Sequence, residues 1–162
     1  MAFLNQSWVI RENSLSLNVP GNFPGVIVAA AGNEPNRDFV DKQDDYARRV
    51  GGNDDTVAVL NIMNGRLADS SSTTSHPGAQ QGKLLGFDGQ VRPGVYGTSF
   101  AAPRVAWVMA LAESLRKRPV AQTRWSYLQR GWLQAARVPQ GQQNQFCFLP
   151  VQYLNNAINA IE

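Results

Sequence analysis

Most of what this sequence indicates about its fold follows from seven consecutive residues, Gly97-Thr98-Ser99-Phe100-Ala101-Ala102-Pro103. The leading glycine favours a tight turn, and an alanine-rich segment with apolar residues at helical spacing follows it. We predict a helix from Thr98 to about residue 118, which Pro119 ends. Pro103 falls in its first turn, where a missing N–H costs little. The pattern places the Ser99 hydroxyl at a helix start, where unpaired N–H groups favour nearby negative charge.

The chain carries a second informative segment in Val26-Ile27-Val28-Ala29-Ala30-Ala31-Gly32-Asn33-Glu34. Residues 25–31 form an apolar run rich in Val and Ile, which is typical of a strand buried on both faces of a parallel sheet. Taken singly, Ser99 is better explained as a helix N-cap and Asn33 as a turn residue. Taken together, a serine at a helix start and an amide at a strand end indicate half of a hydrolytic site.

Apolar runs that predict strands alternate with helical periodicity along the chain. Strands are predicted over residues 2–9, 25–31, 56–62, 83–87 and 145–149, and helices over 98–118, 121–137 and 150–161. Residues 64–82, which are rich in Ser, Thr and Gly, are predicted to form a long surface loop. This alternation is typical of an α/β fold with three layers and a mostly parallel sheet.

Composition narrows the classes of function. A chain of 162 residues suffices for one domain with a hydrophobic core. The net charge of +3, from 15 basic and 12 acidic residues, is too small to indicate nucleic-acid binding. No run approaches the roughly 20 apolar residues of a membrane span, so no membrane partner is expected. The single cysteine, Cys147, cannot form an internal disulfide.

The two segments together resemble a known family. Residues 97–106 resemble the nucleophile motif of the subtilases, the subtilisin-like serine peptidases, and residues 28–34 resemble their oxyanion-hole motif. Residues 4–8 resemble the strand that pairs with the substrate backbone in this family, and residues 150–161 resemble its closing helix. The resemblance implies a partial subtilisin-like fold, in which residues 1–162 form the C-terminal portion of a peptidase domain.

The resemblance also implies a role for each matching residue. Ser99 is the expected nucleophile, which attacks the carbonyl of a peptide bond and forms an acyl-enzyme. The backbone N–H of Ser99 and the side-chain amide of Asn33 are expected to stabilise the oxyanion. A peptide or protein substrate is expected to pair with the backbone of Ser7 and Trp8 by strand addition. Small residues are expected to leave room for the leading side chain of the substrate: Ala30, Ala31 and Gly32.

The general base of the family and its orienting carboxylate have no counterpart at the expected place. The family order is Asp, His and then Ser, so both should precede the strand at residue 25. The residues before that strand contain neither Asp nor His, and the single histidine, His76, lies between Asn33 and Ser99. We interpret His76 as a surface-loop residue. Asp and His are therefore expected from the upstream half of the peptidase domain or from a partner chain, and the isolated chain is expected to be inactive.

Departures from the family pattern leave a second hypothesis open. Trp107 stands where the family usually has Gly, and it is expected to crowd the helix against the sheet. Val9 follows Trp8 where the family commonly has Gly. The alternative function is a catalytically inactive subtilase-like module that binds peptides or has a structural role.

The remaining expectations concern ligands, assembly and location. No cofactor is expected to be required. The acidic segment 34–55 matches no calcium-loop pattern, so a structural calcium ion is left open but not indicated, and no metal ligand is predicted. Half of a sheet exposes an edge and an apolar face, so the isolated chain is expected to form a homo-oligomer. The family resemblance implies a secreted or periplasmic location.

Overall fold

The fold is described from a computed structural model. The structure describes residues 3–7, 23–35, 38, 55–74, 83–115, 128–129, 131–132 and 152–156. The predicted strand at residues 145–149, together with Trp8, Val9, His76 and Cys147, lies outside the described residues.

A mostly parallel sheet forms the centre of the described structure. Its strands and those of a small hairpin are β1 (Phe3–Gln6), β2 (Val26–Ala30), β3 (Thr56–Met63), β4 (Arg66–Leu67), β5 (Leu84–Asp88), β6 (Gln90–Arg92) and β7 (Val95–Tyr96). The pairs β1–β2, β2–β3 and β3–β5 are all parallel, while β4 pairs antiparallel with the end of β3. The three-layer, mostly parallel α/β architecture expected from the sequence is thus confirmed.

The helix predicted after the glycine turn is present as α1 (Thr98–Ser114). Gly97 is its N-cap, and α1 packs against β1, β2, β3 and β5. The expectation for Pro103 was wrong in detail, because Pro103 is the sixth residue of α1 and lies in the second turn. A proline there has no N–H to bond the carbonyl oxygen four residues earlier, which is that of Ser99.

The central strands are buried on both faces, as their apolar runs predicted. Alternate residues of β2 face opposite sides, because side chains in a strand alternate. Val26 and Val28 pack with α1, together with Trp132 and Tyr153, whereas Ile27 packs on the other face beside Leu60. This double burial explains why β2 and β3 are almost continuously apolar.

The expectation of a surface loop over residues 64–82 was wrong for part of that stretch. Residues 66–67 form β4, and a set of small side chains after it is buried: Ala68, Ser71, Ser72 and Thr74. Hydrogen bonds to the backbone satisfy the two serines, so their polarity is compatible with burial. Composition alone therefore predicted exposure where the tertiary structure supplies partners.

Other elements agree with the predictions as far as they are described. Residues 128–129 and 131–132 are helical, as are residues 152–156. A turn at Pro93 and Gly94 joins β6 to β7, a hairpin that the sequence pattern did not reveal. Among the described helices, none has the length and apolar character needed to cross a membrane.

Candidate active site

The parallel strands bring four parts of the chain to one edge of the sheet. Ser7 follows β1, Asn33 follows β2 by three residues, and Gly89 follows β5. The N-terminus of α1 lies at the same edge, since Gly97 donates its N–H to the carbonyl oxygen of Gly89. Carboxyl ends of parallel strands are the usual binding edge of open α/β sheets. The topology therefore places the two sequence motifs together.

The side chain of Asn33 is held by the residue that precedes Ser99. Its Oδ1 atom accepts the backbone N–H of Thr98 at 2.9 Å and the hydroxyl of Thr98 at 3.1 Å. A backbone N–H can only donate, so the oxygen of the carboxamide must face Thr98. The Nδ2 group is therefore turned to the other side of the carboxamide, where its N–H groups are available as donors.

Gly97 has no side chain at the point where the Asn33 carboxamide approaches. A Cβ atom on Gly97 would lie 3.0 Å from Nδ2 of Asn33. That spacing is tighter than ordinary van der Waals contact, so a larger residue would displace the carboxamide. The glycine of the motif is thus explained by close approach.

Thr98 links the two motifs through its hydroxyl. Its Oγ1 atom accepts the N–H of Gly32 at 3.1 Å and donates to Oδ1 of Asn33. Gly32 has a φ of 103°, a conformation that residues with side chains rarely adopt. The sequence reasoning did not assign a role to Thr98, and its position between Gly97 and Ser99 was the only available signal.

The first turn of α1 leaves one donor at Ser99. The N–H groups of Phe100 and Ala101 both donate to the carbonyl oxygen of Gly97, and that of Thr98 donates to Asn33. In the part of the chain that the structure describes, the N–H of Ser99 has no hydrogen-bond partner. Helix N-termini normally leave such donors for side chains, water or ligands. Ser99 is half-buried and directly follows Thr98, whose N–H is bonded to Asn33.

Ser72 supports the turn that carries Asn33. The N–H of Ser72 donates to the carbonyl oxygen of Gly32 at 2.9 Å, and its hydroxyl donates to the carbonyl oxygen of Glu34 at 2.9 Å. The N–H of Glu34 donates back to Oγ of Ser72 at 3.1 Å. The turn is therefore fixed on both sides of Asn33. No sequence signal distinguished Ser72 from the other serines around it.

The residues predicted to bind substrate occupy different environments. Ala30 and Ala31 are buried on opposite faces of the sheet, and Gly32 is buried beside them. Ser7 is half-buried, and its hydroxyl accepts a hydrogen bond from Nδ2 of Asn5 at 2.7 Å. Their roles in substrate binding stay predictions.

An apolar groove lies on the outer side of α1. This open groove has a volume of about 570 Å³ between α1 and the end of β5, and its lining residues are Phe87, Asp88, Pro103, Arg104, Trp107 and Val108. Trp107 is 65% exposed, so it does not crowd the helix against the sheet as expected. A guanidinium nitrogen of Arg104 donates to the carbonyl oxygen of Asp88 at 2.8 Å.

The described residues hold no cluster of three or more His, Cys, Asp or Glu side chains that could bind a metal ion. The groups described at this edge of the sheet are a hydroxyl, a carboxamide and a free backbone N–H. Such a set can attack a carbonyl carbon and stabilise the oxyanion that results.

The sequence and the fold were compared with those of known proteins. The sequence profile of the subtilase family matches residues 5–148. A search of curated proteins gave no significant match. Among solved structures, a serine-to-alanine mutant of the protease domain of PatA is similar over 99% of this chain and 61% of that chain, with a TM-score of 0.67 and 20% identity.

Two further structures show the same fold. The prenylagaramide maturation protease PagA is similar over 99% of this chain and 61% of its own, with a TM-score of 0.64 and 17% identity. The PatG macrocyclase, solved in complex with a peptide, is similar over 82% of this chain and 43% of its own, with a TM-score of 0.58 and 19% identity. The chain thus spans less than two thirds of the length of these structures.

Proposed function

This chain belongs to the subtilase family, and from that premise we propose that it acts as a serine endopeptidase that cleaves peptide bonds through an acyl-enzyme on Ser99. The observation that carries the proposal is the fixed carboxamide of Asn33 beside a free backbone N–H. The Oδ1 atom of Asn33 is occupied by Thr98, which leaves Nδ2 as a donor next to the first turn of α1.

In the proposed reaction, the Oγ atom of Ser99 attacks the carbonyl carbon while its proton passes to a general base. The carbonyl oxygen becomes negative and accepts hydrogen bonds from the N–H of Ser99 and from Nδ2 of Asn33. Collapse of this intermediate breaks the C–N bond, and the leaving amine takes the proton from the base. Water then hydrolyses the acyl-enzyme by the same route and restores the hydroxyl.

The general base and its orienting carboxylate are proposed to come from an upstream segment or from a partner chain. The single histidine of this sequence, His76, lies between Asn33 and Ser99 and not before them. The chain also spans only 61% of the PatA protease domain, so part of that fold has no counterpart here. In subtilisin, loss of the histidine alone lowers turnover about 2 × 10⁶-fold. We therefore expect the isolated chain to be essentially inactive.

The exposed aromatic side chains on the outer face of α1 support the proposal that an upstream segment or a partner chain completes the site. Phe100 and Trp107 are exposed there, although the opposite face of α1 is fully packed against the sheet. A helix that is apolar on both sides is typically buried on both sides. The groove beside Trp107 is large enough to receive several side chains of an added segment.

The proposed substrate is a peptide or protein that binds in extended form beside β1. Among the described strands β1 pairs with β2, and strand addition along its other edge is the proposed mode of binding. The PatG macrocyclase has been solved with a peptide, which supports peptide binding by this fold.

Labelling with a fluorophosphonate tests the proposal. The upstream half of the peptidase domain would be supplied, or the full reading frame expressed, and the probe added to the folded protein. We expect covalent labelling of Ser99 in this protein and none in the Ser99→Ala variant. The isolated chain serves as a second control and should label at a far lower rate. Absence of Ser99-dependent labelling in a folded, complete protein would contradict the proposal.

The alternative is a catalytically inactive subtilase-like module that keeps the peptide-binding edge. The placement of His76, and Val9 where the family commonly has Gly, favour it. The same experiment separates the two functions. Peptide binding that persists without any labelling of Ser99 would support the inactive module.

A further inference from the structure

Asn61 is a polar residue at a position where the surrounding strand is apolar. It lies in β3 between the buried Leu60 and Ile62, and it is itself 0% exposed. Burial of an amide is unfavourable unless its polar atoms are hydrogen-bonded. Within the residues that the structure covers, Nδ2 of Asn61 has no partner. Packing alone therefore does not explain an asparagine here.

The side-chain oxygen of Asn61 holds the residue that follows β5. The N–H of Gly89 donates to Oδ1 of Asn61 at 2.9 Å. Asn61 is in turn fixed through its backbone, because its N–H donates to Oγ of Ser71 at 3.1 Å and its carbonyl oxygen accepts the N–H of Ala68 at 2.9 Å. The carboxamide is thus an anchored support for Gly89.

Gly89 contacts the turn that precedes Ser99. Its carbonyl oxygen accepts the N–H of Gly97 at 3.3 Å. A Cβ atom on Gly89 would lie 2.7 Å from Oδ1 of Asn61 and would collide with the carbonyl oxygen of Gly97. That same oxygen of Gly97 accepts the N–H groups of Phe100 and Ala101. Any displacement of Gly89 is therefore transmitted to the first turn of α1.

We propose that Asn61 is a positioning residue that sets the place of Ser99 through Gly89 and Gly97. The inference rests on the proposed function of Ser99. Asn33 holds the same turn from β2 through the N–H of Thr98, so asparagines from two neighbouring strands clamp the start of α1. Asn61 does not contact the substrate in this arrangement and acts only through the backbone. A misplacement of about 1 Å in a reacting group lowers turnover by about 10²-fold.

Amide hydrogen exchange on the full chain tests these contacts without any need for activity. Asn61→Leu removes the acceptor with little change in volume. Ser71→Ala is the matched control, because it removes the acceptor of the Asn61 N–H at the same depth and leaves the bond to Gly89. We expect amide exchange at Gly89 and Gly97 to be about tenfold faster in Asn61→Leu than in the parent chain. Exchange in the body of α1 should not accelerate to this extent. We expect no such selective change in Ser71→Ala. Uniform acceleration in both variants would overturn the inference.

A second variant covers the case in which Asn61→Leu does not fold. Gly89→Ala perturbs the same contact at Gly89 instead of at Asn61, because its new methyl group must displace the carbonyl oxygen of Gly97. It should produce the same selective exchange in the first turn of α1. Unchanged exchange at Gly97 in this variant would also overturn the inference.

Kinetics of the completed peptidase supply the functional readout. We expect kcat of Asn61→Leu to fall by about 10²-fold with KM nearly unchanged, because the substitution does not alter β1. A variant with accelerated exchange at Gly97 and an unchanged kcat would contradict a positioning role. Failure of the proposed function is recognised separately, as absence of Ser99-dependent labelling in the unsubstituted protein.

Discussion

The backbone N–H of Thr98 donates a 2.9 Å hydrogen bond to Oδ1 of Asn33, which lies 65 positions earlier in the chain. This bond determines the orientation of the Asn33 carboxamide, because an N–H cannot accept a hydrogen bond from Nδ2. The carboxamide is therefore held in one orientation by the fold itself. Preorganised donors of this kind are the largest single contribution to many acyl-transfer reactions.

Replacement of Thr98 by valine should destabilise the fold. The variant keeps the shape of the side chain but removes the acceptor of the buried Gly32 N–H. An unsatisfied buried donor costs about 1–3 kcal/mol, so the free energy of unfolding should fall by that amount. Urea denaturation monitored by tryptophan fluorescence measures it. Thr98→Ser is the control, because it keeps the hydroxyl and should recover most of the loss.

Replacement of Asn33 by aspartate should separate stability from catalysis. The aspartate oxygen still accepts both hydrogen bonds from Thr98, and its charge is favourable near a helix N-terminus by about 0.3–1 kcal/mol. The donor Nδ2 is lost, so kcat of the completed peptidase should fall about 10²–10³-fold, the range known from subtilisin. Thermal unfolding and peptide hydrolysis are the two measurements.

A fall in stability of Asn33→Asp that matches its fall in kcat would contradict that separation. Asn33→Ala provides the comparison, since it loses the acceptor for Thr98 as well as the donor. It should therefore be both less stable and less active.

Truncation of two tryptophans should change stability by very different amounts. Trp107 is 65% exposed on α1, whereas Trp132 is 0% exposed in the core beside α1. Trp132→Ala should lower the free energy of unfolding by about 3–5 kcal/mol. Trp107→Ala should change it by only about 0.5 kcal/mol. Chemical denaturation of the pair checks this, and equal effects would mean that the outer face of α1 is covered in solution.

The exposed face of α1 that carries Trp107 is a candidate surface for self-association of the chain. If the isolated chain self-associates through this face, Trp107→Ala should shift it toward smaller species in light scattering. Trp132→Ala should not produce that shift, because the side chain is already enclosed. A monomeric parent chain would contradict the expected homo-oligomer.

Alkaline pH should destabilise the protein through Tyr153. Burial, and secondarily the negative charge of Glu113, raises the pKa of Tyr153 well above its ordinary value of about 10. Above pH 10 the unfolded state loses this proton while the folded state keeps it, so stability contributed by the neutral form is lost as pH rises. The loss should reach about 1.4 kcal/mol per pH unit.

Urea denaturation at pH 9 and pH 11 tests the contribution of Tyr153. Tyr153→Phe lacks the titrating group and should lose less stability over this interval than the parent chain. The same loss in both proteins would assign the alkaline transition to other groups.

Local patterns in the sequence predicted the central elements well. The apolar runs at residues 25–31 and 56–62 correspond to β2 and β3, and the helix predicted from Thr98 begins at that residue. These predictions succeeded because burial on both sheet faces and helical periodicity leave direct traces in residue order. The family assignment succeeded for the same reason, since its two motifs are short and contiguous.

Predictions failed where a residue depends on partners far away in the chain. Ser71 and Ser72 looked like loop residues but are buried, because Asn61 and Glu34 supply their hydrogen bonds. Trp107 looked like a core residue of a crowded helix but is exposed. No local pattern reports which polar side chains will meet across the sheet.

By itself, the sequence determined the parallel α/β character, the helix that begins at Thr98 and the two candidate reacting groups, Ser99 and Asn33. These features depend on neighbouring residues, whose spacing fixes which side chains share a face. Only the tertiary structure decided how the carboxamide of Asn33 is turned and how Asn61 reaches the glycine before Ser99 through Gly89. Both depend on hydrogen bonds between distant segments, which exist only once the parallel strands have brought their ends to one edge.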